Sequence, residues 1–180
     1  MRPPIRPVVP GPGQESVWDY PRPPRVEATT DRIRIRFGGE TIVDTTDAVR
    51  VLETSHPPVY YLPRSAFPAG SLEQAPGSSF CEFKGAAKYL TVLADSGRAE
   101  SAGWYYPNPS PGYELLAHRV AVYPSAMDSC EVAGEVVTPQ VGDFYGGWIT
   151  SRVVGPFKGE KARAGGSTHQ RVDRVERGED

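Results

Sequence analysis

Arg32-Ile33-Arg34-Ile35-Arg36-Phe37-Gly38-Gly39-Glu40-Thr41-Ile42-Val43-Asp44 is the stretch whose reading decides the fold. Three arginines alternate with Ile33, Ile35 and Phe37, the period-2 pattern of a strand with one wet face and one buried face. Gly38-Gly39 supplies the positive φ that a two-residue turn requires, so 32–44 reads as a β-hairpin with Ile33, Ile35 and Phe37 inward.

Outward from that hairpin the same grammar repeats. Ser129 to Val137 reads as a second hairpin turning at Ala133-Gly134. Leu116 to Tyr123 reads as a strand stopped by Pro124, and Val59 to Leu62 and Gly103 to Tyr106 as further short strands. Ser79 to Leu93 is ambiguous: Glu82-Phe83-Lys84 suits a strand, and Ala86 to Leu93 fits strand or helix. One short helix is expected there or over Asp47 to Glu53. With 19 Gly and 19 Pro in 180 residues, short strands and turns are favoured over long helices. About seven or more short strands, with at most one or two short helices, predict a mainly β fold. Its expected form is a compact, antiparallel, barrel-like sheet, since closure removes exposed edges.

The length suits a single hydrophobic core. Met1 to Glu15 is Pro/Gly-rich without apolar periodicity and reads as a flexible arm (1–15). The β domain is expected over 16–158, and 159–180, with interleaved charges, reads as a disordered tail. A formal net charge of −2 gives no global field for nucleic acid or an anionic membrane. No apolar run reaches the roughly 20 residues of a membrane helix. Met1 to Pro12 has no apolar signal-like core, so the cytoplasm is the expected location, with Cys81 and Cys130 reduced.

The usual chemical devices are missing from the pattern. There is no Walker-type loop, and Gly11-Pro12-Gly13 lies in the arm rather than between strand and helix. No Asp-x-Asp pair suggests a two-metal centre, and no Gly-x-Ser-x-Gly elbow suggests a hydrolase. Cys81, Cys130, His56 and His118 lack the spacing of a local chelate, so neither a metal nor a cofactor is expected. His118 reads as a core histidine beside Leu116, Val120 and Val122. Cys81 near Lys84 reads either as a thiolate beside a cation or as a small buried hydrophobe. If Val49 to Glu53 is a strand, Glu53 shares its face with Val49 and Val51 and needs a partner such as Lys84 or Arg50; on a helix it pairs with Arg50 at the surface.

Five ordered motifs resemble a bacterial family catalogued as domain of unknown function 427. They are Gly38 to Thr46, Val51-Leu52-Glu53-Thr54, Pro57 to Pro63, Cys81-Glu82-Phe83-Lys84-Gly85-Ala86-Ala87-Lys88-Tyr89 and Trp104-Tyr105-Tyr106-Pro107-Asn108-Pro109, within about Trp18 to Phe157. The resemblance implies a compact, largely β bacterial domain. The family carries a nucleotidyltransferase-like label in some catalogues, which the residues of this chain do not support. This chain departs from the family's pattern at Glu82, between Cys81 and Phe83, and at Val122, before Tyr123. The resemblance brings no catalytic residues with it.

The leading functional expectation is a small-molecule-binding β domain, with catalysis left open. Its pocket is expected to hold Lys84 and Glu53 as the reactive pair and Arg50, Tyr61 and Trp104 as ligand-binding residues. Lys84 serves as cation or base, and Glu53 as acid/base or orienting partner. The alternatives are a non-catalytic protein-interaction module using an aromatic sheet end and, from the family label alone, nucleotidyl transfer. The ligand and the oligomeric state are not specified by the sequence.

Overall fold

The computed structural model describes residues 3–142 and 145–160. The expected tail therefore lies outside the described residues from position 161 onward. The leading hairpin forms as read. After β1 (Glu15–Ser16) and β2 (Arg25–Thr29), strands β3 (Ile33–Phe37) and β4 (Glu40–Thr45) turn through Gly38 and Gly39, both at positive φ. Ile33 and Ile35 are fully buried and Phe37 nearly so, while of the intervening arginines Arg36 is exposed and Arg34 half-buried. Gly38 is also a point of close approach, because a Cβ there would meet Ala94 Cβ at 2.7 Å.

The remaining strands are β5 (Ala48–Leu52), β6 (Val59–Pro63), β7 (Leu72–Cys81), β8 (Gly85–Ala94), β9 (Gly97–Tyr105) and β10 (Arg119–Val122). They are followed by β11 (Ser129–Val132), β12 (Glu135–Val136), β13 (Thr138–Pro139), β14 (Trp148–Ile149) and β15 (Val153–Val154). Four three-residue 3₁₀ turns are the only helical elements among the described residues. No helix there is long and apolar enough to cross a membrane. The short helix expected at 47–53 or 79–93 does not form. Ala48–Leu52 is a strand whose alternation buries Val49 and Val51 on one side. Glu82 to Lys84 is a turn, and Gly85, at φ +107°, opens a long strand in place of the ambiguous run that follows. The strand expected from Leu116 begins only at Arg119. His118 stands before it, exposed and in the left-handed region, and is not a core residue.

The main sheet has the order β2-β5-β6-β10-β9-β8-β7, all antiparallel, and its two edges do not meet. It is thus an open sheet and not the expected barrel. A second sheet, β12-β11-β3-β4, lies over one face. Ile33, Ile35, Ile42, Val43, Cys130 and Val132 from the small sheet pack there with Tyr60, Leu62, Leu90, Val92, Val120 and Val122 from the large one. Each large aliphatic buried this way contributes about 2 kcal/mol. The apolar face is covered by a partner sheet, so closure is not needed to bury it. Edge strand β7 carries a register shift around Pro76-Gly77, a device that blunts edge pairing.

The opposite face of the large sheet buries Val49, Val51, Tyr61, Ala87, Trp104 and Ala121, together with Tyr113 and Leu116 from the connection after β9. The segment read as an arm is tied to the body near its end. Val8 N donates to Gly155 O at 2.8 Å, Gln14 Nε2 to Ser151 O at 2.9 Å, and β1 pairs in parallel with β15.

Candidate functional site

The β7–β8 turn places Lys84. Its own carbonyl accepts from Ser110 N at 3.0 Å, which draws the 106–113 segment onto the turn. Gly85 makes that approach possible: a Cβ at this position would lie 3.2 Å from Asn108 O and from Ser110 Oγ. Lys84 is half-buried, with Nζ 5.8 Å from the centroid of the Tyr106 ring. Tyr106 in turn stands beside Tyr61, their ring centroids 6.3 Å apart. Trp104 Nε1 donates to Tyr61 Oη at 3.0 Å across an edge-on ring pair, and Tyr113 Oη donates to Pro24 O at 2.9 Å.

Glu53 follows β5 directly. It is half-buried, and its backbone carbonyl accepts from His56 N. Strand alternation gives it the side of Val49 and Val51, which is the Lys84 side. No carboxylate among the described residues lies within ion-pair distance of Lys84 Nζ. Burial alone would disfavour its ammonium form, yet the field of Tyr61, Cys81, Glu53 and Tyr113 outweighs burial and holds its pKa above the ordinary lysine value. A lysine shifted upward is a cation at neutral pH, which favours binding over service as a base. Burial, Tyr61 and Cys81 push the Tyr106 hydroxyl well above the usual tyrosine value, so it stays a neutral hydrogen-bonding group. Glu82, the departure from the family pattern, is exposed and pairs loosely with Arg22 at 3.7 Å.

Arg50 does not join this group. Its strand neighbours Val49 and Val51 face Tyr61, so Arg50 faces the other way, opposite Tyr60 in register. There Arg50 Nη1 donates to Glu15 Oε1 at 3.0 Å, and its Nε and Nη2 both donate to Glu27 Oε1. Burial works against this guanidinium, but the bonds to Glu15 and Glu27 outweigh it and raise its pKa further. Tyr60, Trp148, Asp31 and Arg152 line a cavity of about 140 Å³ around it.

Four of the five expected site residues therefore belong to one face: Lys84, Glu53, Tyr61 and Trp104. Tyr61 and Trp104 lie beneath the surface as buried supports of Tyr106 and Lys84. Tyr113 was absent from the expected set because only the fold of the 106–113 segment brings it there. Cys81 is half-buried beside Lys84, whereas Cys130 sits between the two sheets, so the two free thiols are on different faces. Among the described residues no three His, Cys, Asp or Glu side chains group as a metal-holding set. A family model described as a domain of unknown function (DUF427) matches residues 25–133. No curated protein matches the chain.

Proposed function

The chain belongs to the domain of unknown function 427 family, and from that premise we propose that it is a small-molecule-binding β domain whose ligand presents an acidic group to Lys84. The observation that carries this reading is a half-buried lysine held charged among tyrosines, with no carboxylate paired to it. Such a cation is poorly solvated, and an anionic group brought beside it gains more than it would at an open surface. Glu53 balances the charge when the ligand is away. Tyr106 supplies a neutral hydroxyl for the rest of an oxygen-rich ligand, and Gly85 lets the 106–113 segment close on the turn.

The test is Lys84→Met, which keeps the apolar stem and removes the charge. Benzoate, acetate and inorganic phosphate, with benzyl alcohol as an uncharged control, are titrated against both proteins by calorimetry. The expected result is acid binding to the wild type, none to the folded variant, and no binding of the alcohol. Unchanged binding by a destabilised Lys84→Met would show a structural lysine and overturn the assignment.

One observation favours the interaction-module reading. Phe80, 73% exposed, sits on edge strand β7 next to this turn. Phe80→Ser leaving acid binding intact while abolishing association with a partner would support that role instead.

A further inference from the structure

β6 ends and β10 begins beside an open groove of about 510 Å³, lined by Pro63, Arg64, Ser65, Ala117, His118 and Arg119. Its lining holds two guanidiniums, an imidazole and a hydroxyl, and no carboxylate. It shares no residue with the group around Lys84.

His118 is the backbone outlier of the groove. Its φ of 59° lies in the left-handed region, which a residue with a Cβ seldom adopts and which gathers at functional sites. Arg64 N donates to His118 O at 2.9 Å, so the two residues are fixed against each other. The imidazole is exposed, and its side chain makes no hydrogen bond or ion pair among the described residues. In either protonation state it offers an N–H donor.

Arg64 is anchored through its face. Its Cζ lies 5.2 Å from the centroid of the Tyr105 ring, and Tyr105 Oη donates to Gln74 Oε1 at 2.9 Å. A guanidinium held this way keeps its N–H edge for a bidentate acceptor. Among the described residues Arg64 takes part in no ion pair. Arg119, in contrast, is committed: its Nη2 donates to Asp47 Oδ1 at 2.7 Å and its Nη1 to Asp47 O at 3.3 Å. Arg64 is therefore the unpaired cation of the lining. Its edge, the His118 ring and the Ser65 hydroxyl offer donors from two chain segments, with no acidic group in the lining to occupy them. Such a set selects an oxyanion. It exceeds what the two oxygens of a carboxylate can accept and matches the three terminal oxygens of a phosphate monoester. Pro63 and Ala117 give the apolar wall, and the volume is that of a small-molecule site.

We propose that this groove is a second ligand site, for the phosphate monoester of a small organic molecule. Arg64 grips two phosphate oxygens, His118 and Ser65 take the third, and Pro63 and Ala117 flank the organic part. The site is independent of acid binding at Lys84.

The experiment follows the ring signals of the ¹⁵N-histidine-labelled full chain, which has three histidines, assigned by elimination with His56→Gln and His169→Gln. Phenyl phosphate is titrated into the wild type and into Lys84→Met, with benzoate and phenol as controls that lack the phosphate. The expected outcome is a saturable shift of the His118 signals with phenyl phosphate, at equal affinity in both proteins. Arg64→Gln should weaken that binding about tenfold. The proposal fails if phenyl phosphate does not move His118 saturably, if benzoate or phenol moves it with equal affinity, or if Arg64→Gln binds as the wild type does. A shift lost in Lys84→Met would also overturn it, by assigning the phosphate to the lysine instead. Acid binding at Lys84 is read by its own calorimetry and stands or falls separately.

Discussion

Tyr60 and Tyr61 are consecutive residues on β6, yet they look onto opposite environments. On the Tyr60 side a partly buried arginine is clamped by two carboxylates, and charge is matched almost bond for bond. On the Tyr61 side a lysine stands among rings and hydroxyls, with a carboxylate near enough to be felt but not to pair. The same sheet thus satisfies one cation internally and leaves the other to be satisfied from outside. Removing the first should disturb the fold; removing the second should disturb binding.

The strongest test of that contrast is Arg50→Met. Glu15 and Glu27 would lose their common partner, and since both keep considerable solvent access, the expected cost is about 2–3 kcal/mol in urea denaturation. Lys84→Met should cost under about 1 kcal/mol in the same measurement. Equal costs would break the comparison. Gly146→Ala probes the Tyr61 side through packing, because a Cβ at Gly146 collides with the Trp104 ring. Forcing that ring away from the Tyr61 hydroxyl should cost about 2 kcal/mol and lower the acid affinity at Lys84, as thermal melts and titration would show. A smaller effect is expected on the alkaline side. Burial raises Tyr106 on one face and Tyr60 on the other, so each contributes stability that is complete below the ordinary tyrosine value of about 10 and is lost as pH rises through its higher folded value. Tyr106→Phe and Tyr60→Phe should each flatten the alkaline fall in stability; a fall unchanged in both variants would remove these tyrosines from its causes.

How far the fold was legible follows from these residues. The hairpin at 32–44 was readable because period-2 burial and a Gly-Gly turn are both local properties. Closure into a barrel was not, because alternation shows that a face is covered without showing by what. Glu82 to Lys84 read as a strand because its side chains fit one, whereas the positive φ demanded at Gly85 makes the turn. His118 was misplaced for the same kind of reason: the apolar pattern around it is real, but the chain enters β10 one residue later.

The site was legible in part through the same parity. Once 48–52 is a strand, Arg50 and Glu53 must face opposite ways, so their separation was already implicit in the spacing. Trp148, Glu15 and Glu27 could not be tied to Arg50 in advance. They come from segments far apart in the chain, and only the pairings β1–β15 and β2–β5 bring them together.

The parallel pairing of Glu15–Ser16 with Val153–Val154 sets an order of events during synthesis. Most of the residues around Lys84, from Val49 to Ala121, can assemble before β14 and β15 have been made. Glu15 leaves the exit tunnel long before Val153, and it has no strand to lie against until Val153 has followed it out. Drawing those two ends together closes a long loop, which is an entropic cost met late in the process. One of the two carboxylates that hold Arg50 therefore reaches its strand only after most of the lysine face has come together.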